Sequence, residues 1–161
     1  MSDVLIVFKA DVGFRTSELV KEKGLGPGVE VSRVSFSIEQ LSRNRPLEVS
    51  MTLVDIHELP LFVERVKSQG LISAELDFYD KKRLNTVPNP VPTTQKDHSI
   101  FLSISSGSWR VQSAEFSSQE HDSGGVITLV MSVDKGSLFS FVSDNSGQTS
   151  VHSTTSWDVK N

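Results

Sequence analysis

The sequence predicts a mainly β protein, a closed or nearly closed β-barrel of two packed antiparallel sheets with one flanking α-helix at about residues 57–69. Most apolar segments alternate with polar residues at period two, which is the pattern of half-buried strands. Clusters of Gly, Asp, Asn and Ser separate these segments at short intervals, as in sandwiches and barrels. One segment has convincing helical periodicity, and it lies between two strands.

The first part of the chain contains two predicted strands. Residues Val4 to Ala10 are densely apolar, which is typical of a central strand. Residues 11–28 are polar and rich in glycine, so we expect a loop, with a helical turn within 16–24 capped by Thr16 or Ser17. Its GLGPG sequence leads into a strand rather than a helix and is not a phosphate-binding loop.

The second strand begins at Val29. Its apolar positions change parity between Val31 and Val34, which predicts a β-bulge or a bent strand, as closure of a barrel requires. Residues 41–45 are expected to form a short polar connection to the next strand.

The segment from Pro46 to Asp80 has the pattern strand, helix, strand. The apolar face of its first strand is Leu47, Val49, Met51 and Leu53. The helix has the apolar face Leu59, Phe62, Val63 and Val66. The second strand presents Ile72, Ala74, Leu76 and Phe78 on one side and Ser73, Glu75, Asp77 and Tyr79 on the other.

Local signals define the ends of the helix in this segment. Pro60 fits the first turn, because a missing N–H needs no partner there. Asp55 is expected to cap the N-terminus beside His57. Gly70, just beyond Lys67 in the last turn, favours a C-terminus at this point.

The rest of the chain is predicted to consist of strands and loops. Residues 81–98 contain three prolines and are expected to form an extended loop. Strands are then expected at 100–104, 109–119, 126–133 and 137–143, and strand spacing returns at Trp157 and Val159. Turns or loops are expected at 106–108, 120–125, 134–137 and 144–150.

Composition excludes several classes of function. The 161 residues fit one domain and carry a net charge of −4, so no basic surface invites nucleic acid or anionic lipid. The chain has no cysteine, which excludes disulfides and thiolate metal sites. No apolar run approaches the ~20 residues of a membrane span. Residues 1–14 do not have the pattern of a secretory signal peptide.

One short motif suggests an enzyme. Residues 121–125, HDSGG, contain the Asp-Ser-Gly-Gly of trypsin-like proteases, in which Ser123 would be the nucleophile. The same residues are turn formers between two apolar strands, and we favour that reading. The chain is too short for a double-barrel protease, and no catalytic His or Asp has a recognisable context upstream.

Other polar and aromatic residues do not form recognisable sites. The histidines His57, His98, His121 and His152 lack metal-ligand spacing. Glu115, Glu120 and Asp122 do not form an acid/base pair, and the basic run at residues 81–83 is expected to be solvated. Trp109 and Trp157 are expected in a core or an interface. We therefore expect no catalytic, cofactor-binding or metal-binding residues, no cofactor and no enzyme activity.

The order of these parts resembles the haemolysin-coregulated protein (Hcp) family, the inner-tube subunits of type VI secretion systems, and more distantly phage tail tube proteins. Residues 47–80 are similar to the signature unit of the family, with Asp55, Pro60 and Leu61 where its helix opens. Five further segments resemble other strands of the family and its C-terminal ending. They are MSDVLIVFKADV, residues 29–40, FLSISSGSWRVQSAEFSS, GGVITLVMSV and SWDVKN. The connection LSRNRP is much shorter than the usual glycine-rich excursion, whereas the loop at 81–98 is longer.

The resemblance implies a structural tube subunit. Such subunits form hexameric rings that stack into a tube inside a contractile sheath, carry a spike and hold effectors in the lumen. It also implies a protein that is cytoplasmic before assembly and is then secreted without a signal peptide. Neither nucleic-acid binding nor membrane insertion is expected, and the proline-containing loop is a candidate for the ring-to-ring contact.

Three other functions remain open. A phage or phage-like tail tube protein would have the same fold class. A monomeric lipocalin-like barrel would bind a small ligand, but lipocalins place their helix late in the chain. A hydrolase built on Ser123 would be labelled by a serine-reactive phosphonate, and Ser123→Ala would abolish the labelling.

Overall fold

A computed structural model describes residues 3–10, 15–53, 56–85, 99–118, 125–143 and 149–159. The described strands are β1 (Val4–Ala10), β2 (Val29–Phe36), β3 (Leu47–Leu53), β4 (Leu71–Asp80), β5 (Ile100–Ser117), β6 (Val126–Val133), β7 (Lys135–Ser143) and β8 (Thr149–Asp158). The described helices are α1 (Glu18–Glu22), α2 (Glu39–Ser42), α3 (Leu59–Ser68) and α4 (Lys81–Asn85), and a 3₁₀ turn at Ile56–Glu58 precedes α3.

Six antiparallel strands close into a barrel in the order β4-β1-β2-β3-β6-β5, because β5 returns to pair with β4. This confirms the predicted β-barrel. Strand β7 pairs with Leu102–Ser105 of β5, and β8 continues the sheet outward from β7. The β7–β8 hairpin is therefore an extension of the barrel wall. The strand order is not that of an up-and-down barrel.

The barrel interior is filled by the faces that period two predicts. The predicted inward residues of β3 and β4 are all buried, and Phe62 of α3 joins them. The helix prediction at 57–69 is confirmed, since α3 covers 59–68 and contacts β5. Val63 is an error in the predicted apolar face, because it is 41% exposed. Leu59 and Val66 pack against the core, and so does Leu61 on the other side of the helix.

A second, smaller core lies on the outer face of β1 and β4. It contains Leu5, Val7, Val20, Leu25, Tyr79, Leu84 and Ile100. Helices α1 and α4 supply Val20 and Leu84, so these short elements cover the strands from outside. Strand β1 is therefore buried on both faces, which explains its continuous apolar sequence.

The bulge predicted in β2 is confirmed, and β5 contains a second one. The pairing of β2 with β3 changes register between Val31 and Arg33, where the apolar parity changes in the sequence. The pairing of β5 with β6 changes register between Val111 and Ser113. Each bulge lets a strand turn its apolar side chains back to the interior as the wall curves.

The predicted turn at 106–108 is wrong. Strand β5 runs without interruption over 18 residues, and its register with β4 shifts between Ser106 and Trp109. The hydroxyl of Ser106 accepts a bond from the Ser108 N–H at 2.8 Å and donates to the Lys135 carbonyl at 2.5 Å. The Ser106 hydroxyl therefore provides hydrogen-bond partners for backbone groups where the strand is irregular. The chain continues as a strand, although the Ser-Gly-Ser sequence predicted a turn.

Two other connections also differ from the prediction. The turn expected at 134–137 is reduced to Asp134, because β7 already begins at Lys135. The loop expected at 81–98 begins as a helix, α4, in which the N–H groups of Lys82 and Arg83 donate to Asp80 Oδ1 at 3.0 and 3.3 Å. Residues 86–98 lie outside the described residues, as do most residues of the turn at 120–125 and of the loop at 144–150.

Both ends of α3 lie where the sequence predicts them, although the capping residues were not all foreseen. Pro60 is in the first turn, as predicted. Asp55, the predicted cap, lies outside the described residues, and Glu58 occupies the N-cap position without a side-chain cap bond. At the C-terminus the left-handed residue is Gln69, with φ 57°, and not Gly70.

Replacing Gln69 by glycine is expected to raise the free energy of unfolding by up to about 1 kcal/mol, because glycine adopts the left-handed conformation without the cost of a Cβ. Urea unfolding monitored by circular dichroism measures the change. The matched control is Lys67→Gly, which places the same residue inside the exposed helix and is expected to cost about 1 kcal/mol. If both variants were more stable than the wild type, or if neither were, the left-handed conformation of Gln69 would not be what costs stability.

Candidate functional site

The histidines and carboxylates considered for catalysis or metal binding do not come together where the structure describes them. His57 and His152 are exposed and lie on different elements, whereas His98, His121 and Ser123 lie outside the described residues. No group of three or more His, Cys, Asp or Glu side chains within the described ranges could hold a metal ion. Glu115 is exposed on β5, and the basic run belongs to α4.

A buried polar cluster on the outer face of the barrel was not predicted from the sequence. Lys9 Nζ lies 2.9 Å from Asp77 Oδ2 and donates to the Tyr79 hydroxyl. Ser103 Oγ donates to Asp77 Oδ1 at 2.5 Å. Lys9 also lies over the Tyr79 ring, 5.0 Å from its centroid. The cluster joins β1, β4 and β5, with Asp77, Tyr79 and Ser103 all buried.

Electrostatics make this cluster structural rather than reactive. Burial by itself lowers the pKa of Lys9, but the charge of Asp77 and the Tyr79 hydroxyl outweigh it, so the pKa lies above its usual value. The ammonium group is therefore fully charged at neutral pH and is a poor nucleophile. A sequence signal existed, since a lysine interrupts the apolar run of β1, but its partner Asp77 is identified only by the pairing of β1 with β4.

Two clefts meet at residues 105–108, the irregular part of β5 where its pairing with β4 changes register. A cleft of about 420 Å³ is lined by Lys9, Ala10, Pro27, residues 73–75 and residues 105–107. A larger cleft of about 640 Å³ lies between residues 105–108 of β5 and the β7–β8 hairpin. Both are lined by Ser105, Ser106 and Gly107, so they adjoin along this part of β5.

The two tryptophans have different environments. Trp109 is fully buried, donates its indole N–H to the Ala74 carbonyl at 2.9 Å and packs edge-on against Phe8 at 5.3 Å. Trp157 is half-buried at the wall of the larger cleft and donates to the Val133 carbonyl at 3.0 Å. The predicted core location is confirmed for Trp109, and Trp157 packs against the same core from outside.

The surface carries large apolar side chains that the described chain leaves exposed. They are Ile38, Val63, Leu71, Phe101, Phe116, Val142 and Val151. Strand β8 adds ten residues at the end of the sheet, and among the described strands it pairs with β7 alone. Such an edge offers unpaired backbone groups to another chain, and β8 lacks the lysine and proline residues that commonly protect one.

Sequence comparisons identify no relative: no protein-family profile matches the chain, and no curated protein matches it significantly. None of the helices in the described ranges has the length and apolar composition needed to cross a bilayer.

Structural comparison gives a different result. Hcp1 from Salmonella typhimurium superposes with a TM-score of 0.67 at 17% identity, covering 98% of this chain and 96% of that one. A type VI secretion system effector from Yersinia pestis gives 0.67 at 14% identity, with 96% and 99% covered. The secreted protein Hcp3 from Pseudomonas aeruginosa gives 0.58 at 10% identity, with 96% and 97% covered. The chain therefore has the Hcp fold along nearly its whole length, as its sequence resemblance implies.

Proposed function

We propose that this chain is the structural tube subunit of a contractile injection apparatus of the type VI secretion class. The observation that carries the proposal is the Hcp fold over at least 96% of the chain, in structures of which one is described as a type VI secretion system effector. Residues 1–161 act in this proposal as one barrel domain, and the role needs no catalytic group. The chain is in the cytoplasm before assembly and leaves with the tube.

Hexameric rings are the assembly that we propose. A ring needs a heterologous interface, in which two different surface patches of the same chain meet and the rotation closes. The exposed apolar side chains of the strands and the edge of β8 supply surface that such an interface would bury. On β6, Ile127, Leu129, Met131 and Val133 fill the barrel, while Val126 and Val130 remain half-buried on the outer face. We place part of the interface on this outer face.

The proposal also covers how the rings stack and which other proteins the tube contacts. The connection from β2 to β3 is short and contains α2, so it does not supply the long excursion on which Hcp ring stacking would depend. We therefore assign the ring-to-ring contact to the region after α4. The sheath, the spike and effector cargo are the partners in this proposal. A phage tail tube would use the same assembly and differs in the sheath and spike proteins that it binds.

The test is the mass and shape of the purified protein, by sedimentation velocity and negative-stain imaging. A species near six times 17.7 kDa with a central hole is expected. A monomer at high concentration would refute the proposal and leave the ligand-binding barrel as the alternative.

A pair of variants locates the interface. Val130→Lys is expected to shift the ring towards monomer while circular dichroism keeps the β signature, because a lysine there would bury a charge between subunits. Val63→Lys, the same change on the exposed side of α3, is expected to leave the ring intact. Rings formed equally well by both variants would contradict an interface at the outer face of β6.

A further inference from the structure

The larger cleft has a chemistry that the tube role does not use. Its lining consists of Ser105, Ser106, Gly107, Ser108, Lys135, Gly136, Ser137, Ser156, Trp157 and Asp158. Five of these ten residues carry hydroxyl groups, one is aromatic, and the two charged residues have opposite signs. At about 640 Å³ the cleft lies within the ~300–1,000 Å³ of small-molecule sites.

The aromatic wall of the cleft is held in a fixed position. Trp157 is opposite Gly136 across the β7–β8 pair, and its indole N–H is bound to the Val133 carbonyl. A Cβ added at Gly136 would lie 2.9 Å from Trp157 Cζ2, so only glycine lets the ring lie this close to the strand. An indole held in this way is available to a ligand without loss of side-chain entropy.

The charges of the cleft do not favour ionic ligands. Lys135 and Asp158 are paired across the two strands, both are exposed, and no ion pair joins their side chains in the described structure. Their formal charges cancel, so the cleft has no net attraction for a phosphate or a sulfate. A fatty chain is not favoured either, because Trp157 is the one large apolar side chain in the lining.

An extended peptide does not fit the backbone of the cleft. Peptides add to a sheet by pairing with a free strand edge. Here Ser105 is paired with Ser137, and Ser137 with Ser156, so the strand edges between these residues are already occupied. A peptide would have to bind through side chains alone, without the backbone pairing that gives strand addition its affinity.

We propose that this cleft binds a neutral oligosaccharide, with one pyranose ring stacked on Trp157. A pyranose has an apolar C–H face that matches an aromatic ring, and hydroxyl edges that match a lining able both to donate and to accept. Asp158 accepts from adjacent sugar hydroxyls, and Lys135 donates to them. The adjoining 420 Å³ cleft, with Ser73, Glu75 and Lys9, extends the site beyond one ring, so a chain of sugars fits better than a monosaccharide.

Titration of the full chain with cellotriose, maltotriose and tri-N-acetylchitotriose tests the proposal, with tryptophan emission and saturation-transfer NMR as readouts. Saturable binding of at least one trisaccharide is expected, with an emission change that comes from Trp157, because Trp109 is fully buried. The protein is then sedimented together with the insoluble polymers of the same sugars. Co-sedimentation shows whether the ligand comes from a polysaccharide chain or only from a free oligosaccharide. Absence of saturable binding for all three sugars would overturn the proposal, and so would binding of a sulfated disaccharide or an extended peptide in their place.

Two variants assign the binding to this cleft. Gly107→Leu blocks it without strain, since a Cβ at Gly107 meets nothing within 4 Å and its φ is not in the left-handed region. We expect at least about tenfold weaker binding, since contact with the aromatic wall is lost. Asp158→Ala is expected to weaken binding, whereas Asp3→Ala, a matched exposed carboxylate, leaves it unchanged. Unchanged affinity in a folded Gly107→Leu protein would place the sugar elsewhere and overturn the proposal.

Discussion

Replacing Trp109 by alanine is expected to lower the free energy of unfolding by about 3–5 kcal/mol. The side chain is fully buried and packs edge-on against Phe8. Its indole N–H satisfies the Ala74 carbonyl at the register shift between β4 and β5. The variant therefore loses apolar burial and leaves a cavity. It also leaves the buried Ala74 carbonyl without this donor, at the β4–β5 pairing that closes the barrel.

Thermal unfolding measures this loss, and a decrease of about 10 °C in Tm is expected for a chain of this size. Trp109→Phe separates the two contributions, because it keeps most of the apolar volume and removes only the N–H donor. It should cost clearly less than alanine. Val63→Ala is the surface control, since Val63 is 41% exposed on α3, outside the proposed interface, and its truncation should change stability by less than about 0.5 kcal/mol. Equal costs for Trp109→Ala and Val63→Ala would contradict the central position of Trp109.

Replacing Lys9 by methionine is expected to destabilise the protein by about 3 kcal/mol, because the Asp77 carboxylate then stays buried without its cation. The Lys9 side chain is only 22% exposed, so water compensates little of the lost ion pair. Urea unfolding near neutral pH measures the loss. The surface control is Lys82→Met, which breaks an exposed 4.0 Å contact with Asp3 and should change stability by less than about 0.5 kcal/mol.

A double variant tests whether the loss comes from the unpaired charge. Lys9→Met with Asp77→Leu removes both members of the pair, so it should be less destabilising than Lys9→Met alone. A double variant with the sum of both single losses would show that the two residues do not interact.

The pH dependence of this pair follows from the raised pKa of Lys9. A lysine whose pKa is higher in the folded protein stabilises the fold below the unfolded value of about 10.4, and this stabilisation is lost as pH rises through the folded value. The difference in stability between the wild type and Lys9→Met should therefore be constant from about pH 7 to about pH 10 and shrink above it. A difference that already shrinks between about pH 7 and about pH 9 would contradict this pairing.

Periodicity was sufficient wherever one face of a strand meets one core. The spacing of apolar side chains predicts the inward residues of β3 and β4, helix α3 and the bulge after Val31. It does so because each element must bury its own apolar face, whatever element packs against it. The turn predicted at 106–108 failed because serine and glycine favour turns in isolation. The bond from Ser106 to the distant Lys135 carbonyl and the pairing of β5 with its neighbours keep these residues in an extended strand instead.

The buried polar cluster and the two clefts could not be predicted in the same way. Lys9 and Asp77 are far apart in the sequence, and they meet because β1 pairs with β4 in one particular register. Trp157, Gly136 and Ser106 form one cleft because β7 leaves the barrel beside the irregular part of β5. Sequence alone indicated that the tryptophans lie in a core or an interface, but not which residues share a surface with them.

The sequence by itself determined the β class, the helix after β3 and the resemblance to the Hcp family, because these depend on local period and on the order of elements. Only the tertiary structure decided the closure of the barrel through β4 and β5, the outward position of the β7–β8 hairpin and the burial of Lys9 with Asp77. The physical reason is that a strand's spacing fixes which side chains share its face, while long-range hydrogen bonding fixes which strand lies beside it.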